Sequence, residues 1–99
     1  MSKLIIAKFG GTSVADFDAM TRCADIVLAD ENIRVVVVSA SSGVTNLLVD
    51  ITKTTEVQQR YDAYAGIEQI TLNVLNRLQQ PHSVAAQIEL LLGELKALI

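Results

Sequence analysis

The chain has 99 residues, 51% of them hydrophobic, which fits one domain or part of one that folds around a core. Its formal net charge is −3, from 8 Lys and Arg against 11 Asp and Glu, which argues against nucleic acid or an acidic membrane surface as the main partner. Residues 4–7 are too short for a signal peptide and no apolar stretch approaches the ~20 residues that span a bilayer, so we expect a soluble, cytoplasmic protein.

The first predicted element is a strand over residues 3–9. Its apolar residues are consecutive rather than alternating, a pattern typical of a strand covered on both faces in a parallel sheet. Gly10 and Gly11 end the strand. Ser13 is then predicted to cap a helix, with Asp16 three residues later completing a short form of the capping box.

The predicted helix carries an apolar stripe and the chain's one cysteine. The stripe consists of Phe17, Met20, Ala24 and Val27, with Cys23 beside it. A lone cysteine forms neither an intramolecular disulfide nor a cysteine-based zinc site. The pattern predicts a buried, inert thiol.

The second predicted strand, residues 33–38, contains four successive valines, which favour extended backbone and burial on both faces. A small, flexible stretch follows at residues 39–43. Thr45 or Asn46 is predicted to cap a helix from Leu47 to about Lys53.

Residues 3–38 therefore predict a strand–helix–strand unit with parallel strands. Both strands would end at one edge of the sheet, and the carboxyl edge is where open α/β sheets bind ligands. The stretches that follow the two strands, residues 8–13 and 39–46, are thus expected to converge there.

The second half of the chain is predicted to be helical, with no strand after about residue 55. One helix is expected to end before Pro81, because the residue that precedes a proline avoids the α region. Ser83 is predicted to cap a last helix, and His82 to be a surface residue rather than a catalytic base. The apolar stripe of this last helix consists of Val84, Ile88, Leu91, Leu92, Leu95 and Ile99. Such helices more often pack than bind ligands.

The two predicted strands are too few for a stable sheet, which usually has about 4–6. We therefore expect the chain to be a fragment of a longer protein, or to complete its sheet through another copy.

The turn after the first strand combines a cation with two glycines. Gly10 and Gly11 let backbone N–H groups approach an anion, and a helix N-terminus after them would add its dipole. With Lys8 this would make a phosphate cradle. The alternative is a plain strand-to-helix turn with an exposed lysine, since the spacing is neither a Walker A loop nor a dinucleotide-binding turn.

The second loop leaves two interpretations open. Its hydroxyl groups, with Thr45 and Asn46 beyond them, could line a substrate site. Alternatively, Ser41 and Thr45 serve only to cap a helix. The sequence has no paired-carboxylate or metal-ligand spacing, so no metal site is predicted.

Two stretches carry a resemblance to a known family. KFGGTSV at residues 8–14 and VVVSASSGVTNLL at residues 36–48 resemble the N-terminal part of bacterial aspartokinases, and most of all the monofunctional, lysine-sensitive class. The resemblance implies an α/β amino-acid kinase fold. Residues 1–99 would be the N-terminal part of the catalytic domain, without the regulatory ACT domains.

The resemblance also implies a reaction. Aspartokinases transfer the γ-phosphate of ATP, with Mg²⁺, to the β-carboxylate of L-aspartate, on the way to lysine, threonine and methionine. The family's remaining substrate-binding and adenine-binding residues would lie beyond Ile99. The chain alone would then hold half a site and have no activity, and a homo-oligomer, a dimer, is expected.

Site roles carry over by motif. Lys8 would be catalytic, neutralising charge on the transferred phosphate. The residues expected to bind the ATP phosphates are Lys8, Phe9, Gly10, Gly11, Thr12 and Ser13. Those expected to line the substrate site are Ser39, Ser41 and Thr45. Two alternatives remain, namely a non-catalytic helical interaction module with a vestigial glycine loop, and another amino-acid kinase of the same fold.

Overall fold

The computed structural model of the chain describes residues 3–99, which divide into two compact units, one ending at Ser42 and one comprising Gly43–Ile99. The first unit contains β1 (Ile5–Phe9), a 3₁₀ turn (Gly11–Val14), α1 (Phe17–Ala29) and β2 (Ile33–Val38). The second contains α2 (Val44–Lys53), α3 (Val57–Leu75) and α4 (His82–Ala97). The predicted order of strands and helices is confirmed.

The two strands pair in parallel, as predicted. The register shifts once near the start, and from there it runs regularly to the pairs Lys8↔Val37 and Phe9↔Val38. Because Phe9 and Val38 are the last residues of their strands, both strands end at one edge. The helix α1 is the crossover connection, so the loops that follow the strands start side by side.

The sheet has two strands among residues 3–99, and it is incomplete as expected. The prediction that both strands are buried on both faces is wrong for this chain. The four valines of β2, residues 35–38, are 44–59% exposed. Successive side chains of a strand point to opposite faces, so the described residues leave both faces of β2 partly uncovered.

The helix α1 begins later than predicted. Ser13 does not cap it, because the chain first makes the 3₁₀ turn and becomes extended at Asp16 (φ −148°, ψ 179°). The Asp16 carboxylate caps α1 by accepting a hydrogen bond from the N–H of Ala19 at 2.8 Å. Sequence reasoning found the acid but placed it inside the helix rather than at its start.

The predicted start of α2 is also wrong. Gly43 is the N-cap residue, with a left-handed backbone (φ 92°, ψ −23°), and no side chain caps this helix. Thr45 and Asn46 lie in its first turn. Several residues near this point are acceptable helix caps by sequence. The helix starts after Gly43 because that residue adopts the left-handed backbone.

The last two helices differ from prediction only at their ends. The helix α3 ends at Leu75, and the N–H of Leu78 bonds to the Leu75 carbonyl in the turn that follows. Ser83 does not cap α4, because its hydroxyl donates to the Gln80 carbonyl at 2.8 Å. Pro81 precedes the first helical residue instead, where its missing N–H costs nothing.

The helices of the second unit pack against one another around Tyr64, which is 7% exposed. Its hydroxyl donates to Glu68 at 3.3 Å, and the Lys96 ammonium of α4 lies 5.9 Å from the ring centroid. Burial, and then the negative charge of Glu68, raise the pKa of Tyr64. A tyrosine hydroxyl is protonated at neutral pH even without such a shift, so it can donate to Glu68. No helix within residues 3–99 is long and apolar enough to cross a bilayer.

Two glycine substitutions should shift stability in opposite directions. Gly43→Ala should lower the free energy of unfolding by about 1–2 kcal/mol, because L-residues pay that penalty in left-handed backbone. Gly93→Ala should raise it by about 1 kcal/mol, because Gly93 lies inside α4 with open space at its Cβ position and alanine favours helix. Urea denaturation of the two variants measures both changes. Equal effects of the two substitutions would contradict the assigned backbone at Gly43.

Candidate active site

The candidate site is formed by the glycine loop (residues 10–14), after β1, and the serine loop (residues 39–42), after β2. A backbone hydrogen bond from Ser39 N–H to the Phe9 carbonyl, at 3.0 Å, links the serine loop to the end of β1, and one from Ser42 N–H to the Gly11 carbonyl, at 3.1 Å, joins the two loops. The Ser41 hydroxyl donates to the Val14 carbonyl at 2.7 Å. The expected convergence of the two loops is confirmed.

The two glycines of the loop have different surroundings. A Cβ at residue 11 would lie 3.0 Å from the Ala40 carbonyl oxygen, so Gly11 permits the close approach of the serine loop. A Cβ at residue 10 would meet nothing within 4 Å, and the backbone of Gly10 is extended, as any residue can be. Packing of the described residues therefore favours glycine at residue 11, whereas residue 10 is open to the approach of a ligand.

Lys8 lies on the exposed side of β1, paired with Val37 in the ladder. Because side chains alternate along a strand, Lys8 projects from the face opposite to that of Phe9. Phe9 lines an apolar cavity of about 430 Å³ on the side of α1. The base of Lys8 is thus fixed by the sheet, while its charged end lies in solvent, two residues before Gly10.

A 3₁₀ turn, and not the expected helix N-terminus, follows the glycines directly, because α1 starts only at Phe17. The Asp16 carboxylate already accepts a hydrogen bond from the first turn of α1. The backbone donors beside Gly10 instead belong to the 3₁₀ turn, whose first N–H groups have no acceptor within the turn. Thr12 and Ser13 are exposed, so their hydroxyls can reach a ligand at this turn.

The expected substrate-binding residues divide between the two units. Ser39 is exposed at the end of β2, and Ser41 is half-buried with its hydroxyl bonded to Val14. Thr45 belongs to the second unit, where it is exposed in the first turn of α2. The first unit therefore brings together the glycine-loop residues with Ser39 and Ser41.

Sequence reasoning named Ser41 and Cys23 but missed their hydrogen bonds to the glycine loop. Besides the bond from Ser41 to Val14, the buried Cys23 thiol donates to the Ser13 carbonyl at 3.1 Å. Cys23 was predicted to be a buried thiol, which is confirmed. No local sequence pattern indicates that its hydrogen-bond acceptor is the Ser13 carbonyl, ten residues away. Within residues 3–99 no three His, Cys, Asp or Glu side chains group as metal ligands.

Comparison with known proteins identifies the family. Residues 3–97 match the amino acid kinase family. The chain belongs to this family. It is 49% identical to lysine-sensitive aspartokinase 3 of Escherichia coli over 98 residues, which are 99% of the chain and 22% of that enzyme. It is 53% identical over 78 residues to a Haemophilus influenzae protein whose name gives it provisionally as an inactive aspartokinase 3, covering 79% of the chain and 64% of that protein.

Solved structures agree with the fold. The chain matches E. coli aspartokinase III bound to aspartate and ADP, in the R-state, with a TM-score of 0.92 and 48% identity, over 97% of the chain and 22% of that structure. The T-state complex with lysine and aspartate gives a TM-score of 0.89. The predicted α/β amino-acid kinase fold and the resemblance to lysine-sensitive aspartokinases are confirmed. The chain spans about a fifth of the E. coli enzyme's length.

The glycine pair provides a test of the site. Gly11→Ala should lower the free energy of unfolding by about 1–3 kcal/mol, the usual cost of overpacking. Gly10→Ala should change it by less than about 0.5 kcal/mol but weaken ATP binding about tenfold, because it obstructs hydrogen bonds to a charged group. Denaturation and ATP titration of both variants separate the two effects. A Gly10→Ala variant with normal ATP affinity would contradict a phosphate at this turn.

Proposed function

We propose that the chain is the N-terminal part of the catalytic domain of a lysine-sensitive aspartokinase. The complete protein would transfer the γ-phosphate of ATP to the β-carboxylate of L-aspartate, giving 4-phospho-L-aspartate, the first step towards lysine, threonine and methionine through the diaminopimelate pathway. The observation that carries the proposal is the glycine loop, held at the carboxyl edge of a parallel sheet and open at Gly10.

The arrangement suits phosphoryl transfer, which depends on positioning and charge stabilisation more than on covalent chemistry by the protein. Lys8 would be the catalytic cation, because it lies at the end of β1 with its charge in solvent. The N–H groups after Phe9, at Gly10 and Gly11, would bind phosphate oxygens. The exposed hydroxyls of Thr12 and Ser13 would add donors at the same turn.

The acceptor would bind beside this turn. Ser39 is exposed at the end of the neighbouring strand, and its hydroxyl would face the aspartate. Thr45 would contact the aspartate, with Ser41 nearby. The E. coli relative was crystallised with aspartate and ADP, which supports the same substrate pair for the protein that carries this chain.

ATP would enter with Mg²⁺. Mg²⁺ would be held largely by the phosphate oxygens of ATP and by water, as is usual for this ion, and residues 3–99 contain no group of three potential metal-ligating side chains. We also propose a cytoplasmic homodimer that binds neither nucleic acid nor membrane, in keeping with the net charge of −3.

Replacement of Lys8 provides the direct test in the complete protein. Lys8→Ala should lower kcat by on the order of 10²–10³-fold, the usual effect of removing one group that stabilises transition-state charge. The melting temperature should change little, because the side chain is exposed. Lys3→Ala, which removes another exposed lysine near β1, is the control. Equal losses of activity and melting temperature in Lys8→Ala would indicate a structural role instead.

Residues 1–99 alone should show no kinase activity. Half a site binds phosphate without orienting the acceptor, and orientation accounts for much of the rate. The measurement is ADP release with and without aspartate. Aspartate-dependent release by the isolated chain, abolished by Lys8→Ala, would refute the proposal that further residues are needed.

One comparison favours the non-catalytic alternative, a helical interaction module with a vestigial glycine loop. The Haemophilus influenzae relative is named as inactive, and the chain spans 64% of its length. ATP titration of the complete protein separates the two functions, since the module has no use for ATP. The remaining alternative, another amino-acid kinase of the family, is tested by comparing aspartate with glutamate as phosphate acceptor.

A further inference from the structure

We propose that Ser41 is a positioning residue for ATP, whose hydroxyl holds the glycine loop in its binding shape and does not donate to a substrate. The inference rests on the proposed function, and it gives Ser41 a different role from the one implied by resemblance. It starts from the hydrogen bond of 2.7 Å between the Ser41 hydroxyl and the Val14 carbonyl, 27 residues away.

The glycine loop needs this bond because its helical turn is short. The 3₁₀ turn ends at Val14, and the chain becomes extended at Asp16 before α1 starts. Carbonyl groups at the end of a helical turn need donors from outside it. Val14 is 7% exposed, so water reaches its surroundings poorly, and Ser41 supplies the donor.

Three hydrogen bonds link the serine loop to the glycine loop and to the end of β1 beside it, and one of them depends on side-chain identity. Ser39 and Ser42 donate through their backbone N–H groups, which every residue but proline has. Ser41 donates through its hydroxyl. A substitution at residue 41 therefore removes one of the bonds that hold the loop, whereas a substitution at residue 42 can leave the others intact.

The bond also sets which side of the turn faces a ligand. The N–H and C=O groups of a helical turn point in opposite directions along its axis. Ser41 and Cys23 hold the carbonyls of Val14 and Ser13 from the protein side. The N–H groups at the start of the turn, near Gly10, are thereby left pointing away from these contacts and towards the open end of the loop.

A direct donor role for Ser41 conflicts with this geometry. A serine hydroxyl carries one hydrogen, and Ser41 gives it to Val14. Phosphates and carboxylates only accept hydrogen bonds, so Ser41 could serve them only by releasing the glycine loop. Ser39, which is exposed two residues before Ser41, is available to a substrate.

The test compares Ser41→Ala with Ser41→Thr, which retains a hydroxyl, and with Ser42→Ala, the matched control. In the complete protein without ligand, hydrogen exchange reports the bonded amides of residues 13 and 42. We expect Ser41→Ala to speed their exchange about fivefold, the effect of one side-chain hydrogen bond. Ser42→Ala should leave the exchange unchanged, and Ser41→Thr should restore it.

Steady-state kinetics provide the second measurement. Ser41→Ala should raise the KM for ATP about fivefold and leave the KM for aspartate unchanged. Unaltered exchange in Ser41→Ala, or an increase confined to the KM for aspartate, would overturn the inference while the proposed function stands. Absence of ATP binding by the wild-type protein would instead overturn the proposed function, and with it the role of Ser41 in ATP binding.

Discussion

The close approach of two loops at one edge of the sheet is the constraint on which the candidate site depends. The parallel ladder aligns Phe9 with Val38 at the strand ends, so the glycine loop and the serine loop that follow the strands must pass one another. They do so at Gly11, where a Cβ would lie 3.0 Å from the Ala40 carbonyl. Gly11 follows from that crowding before any ligand is considered, whereas Gly10 does not.

This crowding divides the work of the site between backbone and side chains. The proposed phosphate donors are backbone N–H groups, which do not depend on side-chain identity. Their direction is set by the hydrogen bonds that hold the carbonyl groups of the same turn. Cys23 and Ser41 hold two of these from buried or half-buried positions. Residues that never touch the nucleotide can therefore determine how well it binds. In the proposed site, Lys8 would add the positive charge that backbone N–H groups cannot supply.

The sequence sufficed to predict the βαβ unit, the shared edge and the glycine turn, because these follow from runs of apolar residues and from chain connectivity. The helix starts were harder. Ser13, Asp16, Gly43 and Thr45 are all acceptable capping residues by local rules, which differ by about 1 kcal/mol or less among them. Contacts distant in the sequence decide between them, such as the bond from Ser41 to Val14.

The exposed valines of β2 and the hydrogen-bonded glycine loop bear on different requirements of a kinase site. The hydrogen bonds described for the glycine loop all lie within the first unit, up to Ser42. Val35–Val38, by contrast, remain 44–59% exposed, a surface that a complete parallel sheet would cover. Transfer of phosphate needs an acceptor held in line as well as a cradle. The proposed phosphate-binding turn can therefore form in this chain, whereas phosphate transfer by the complete protein would also need residues that position the acceptor.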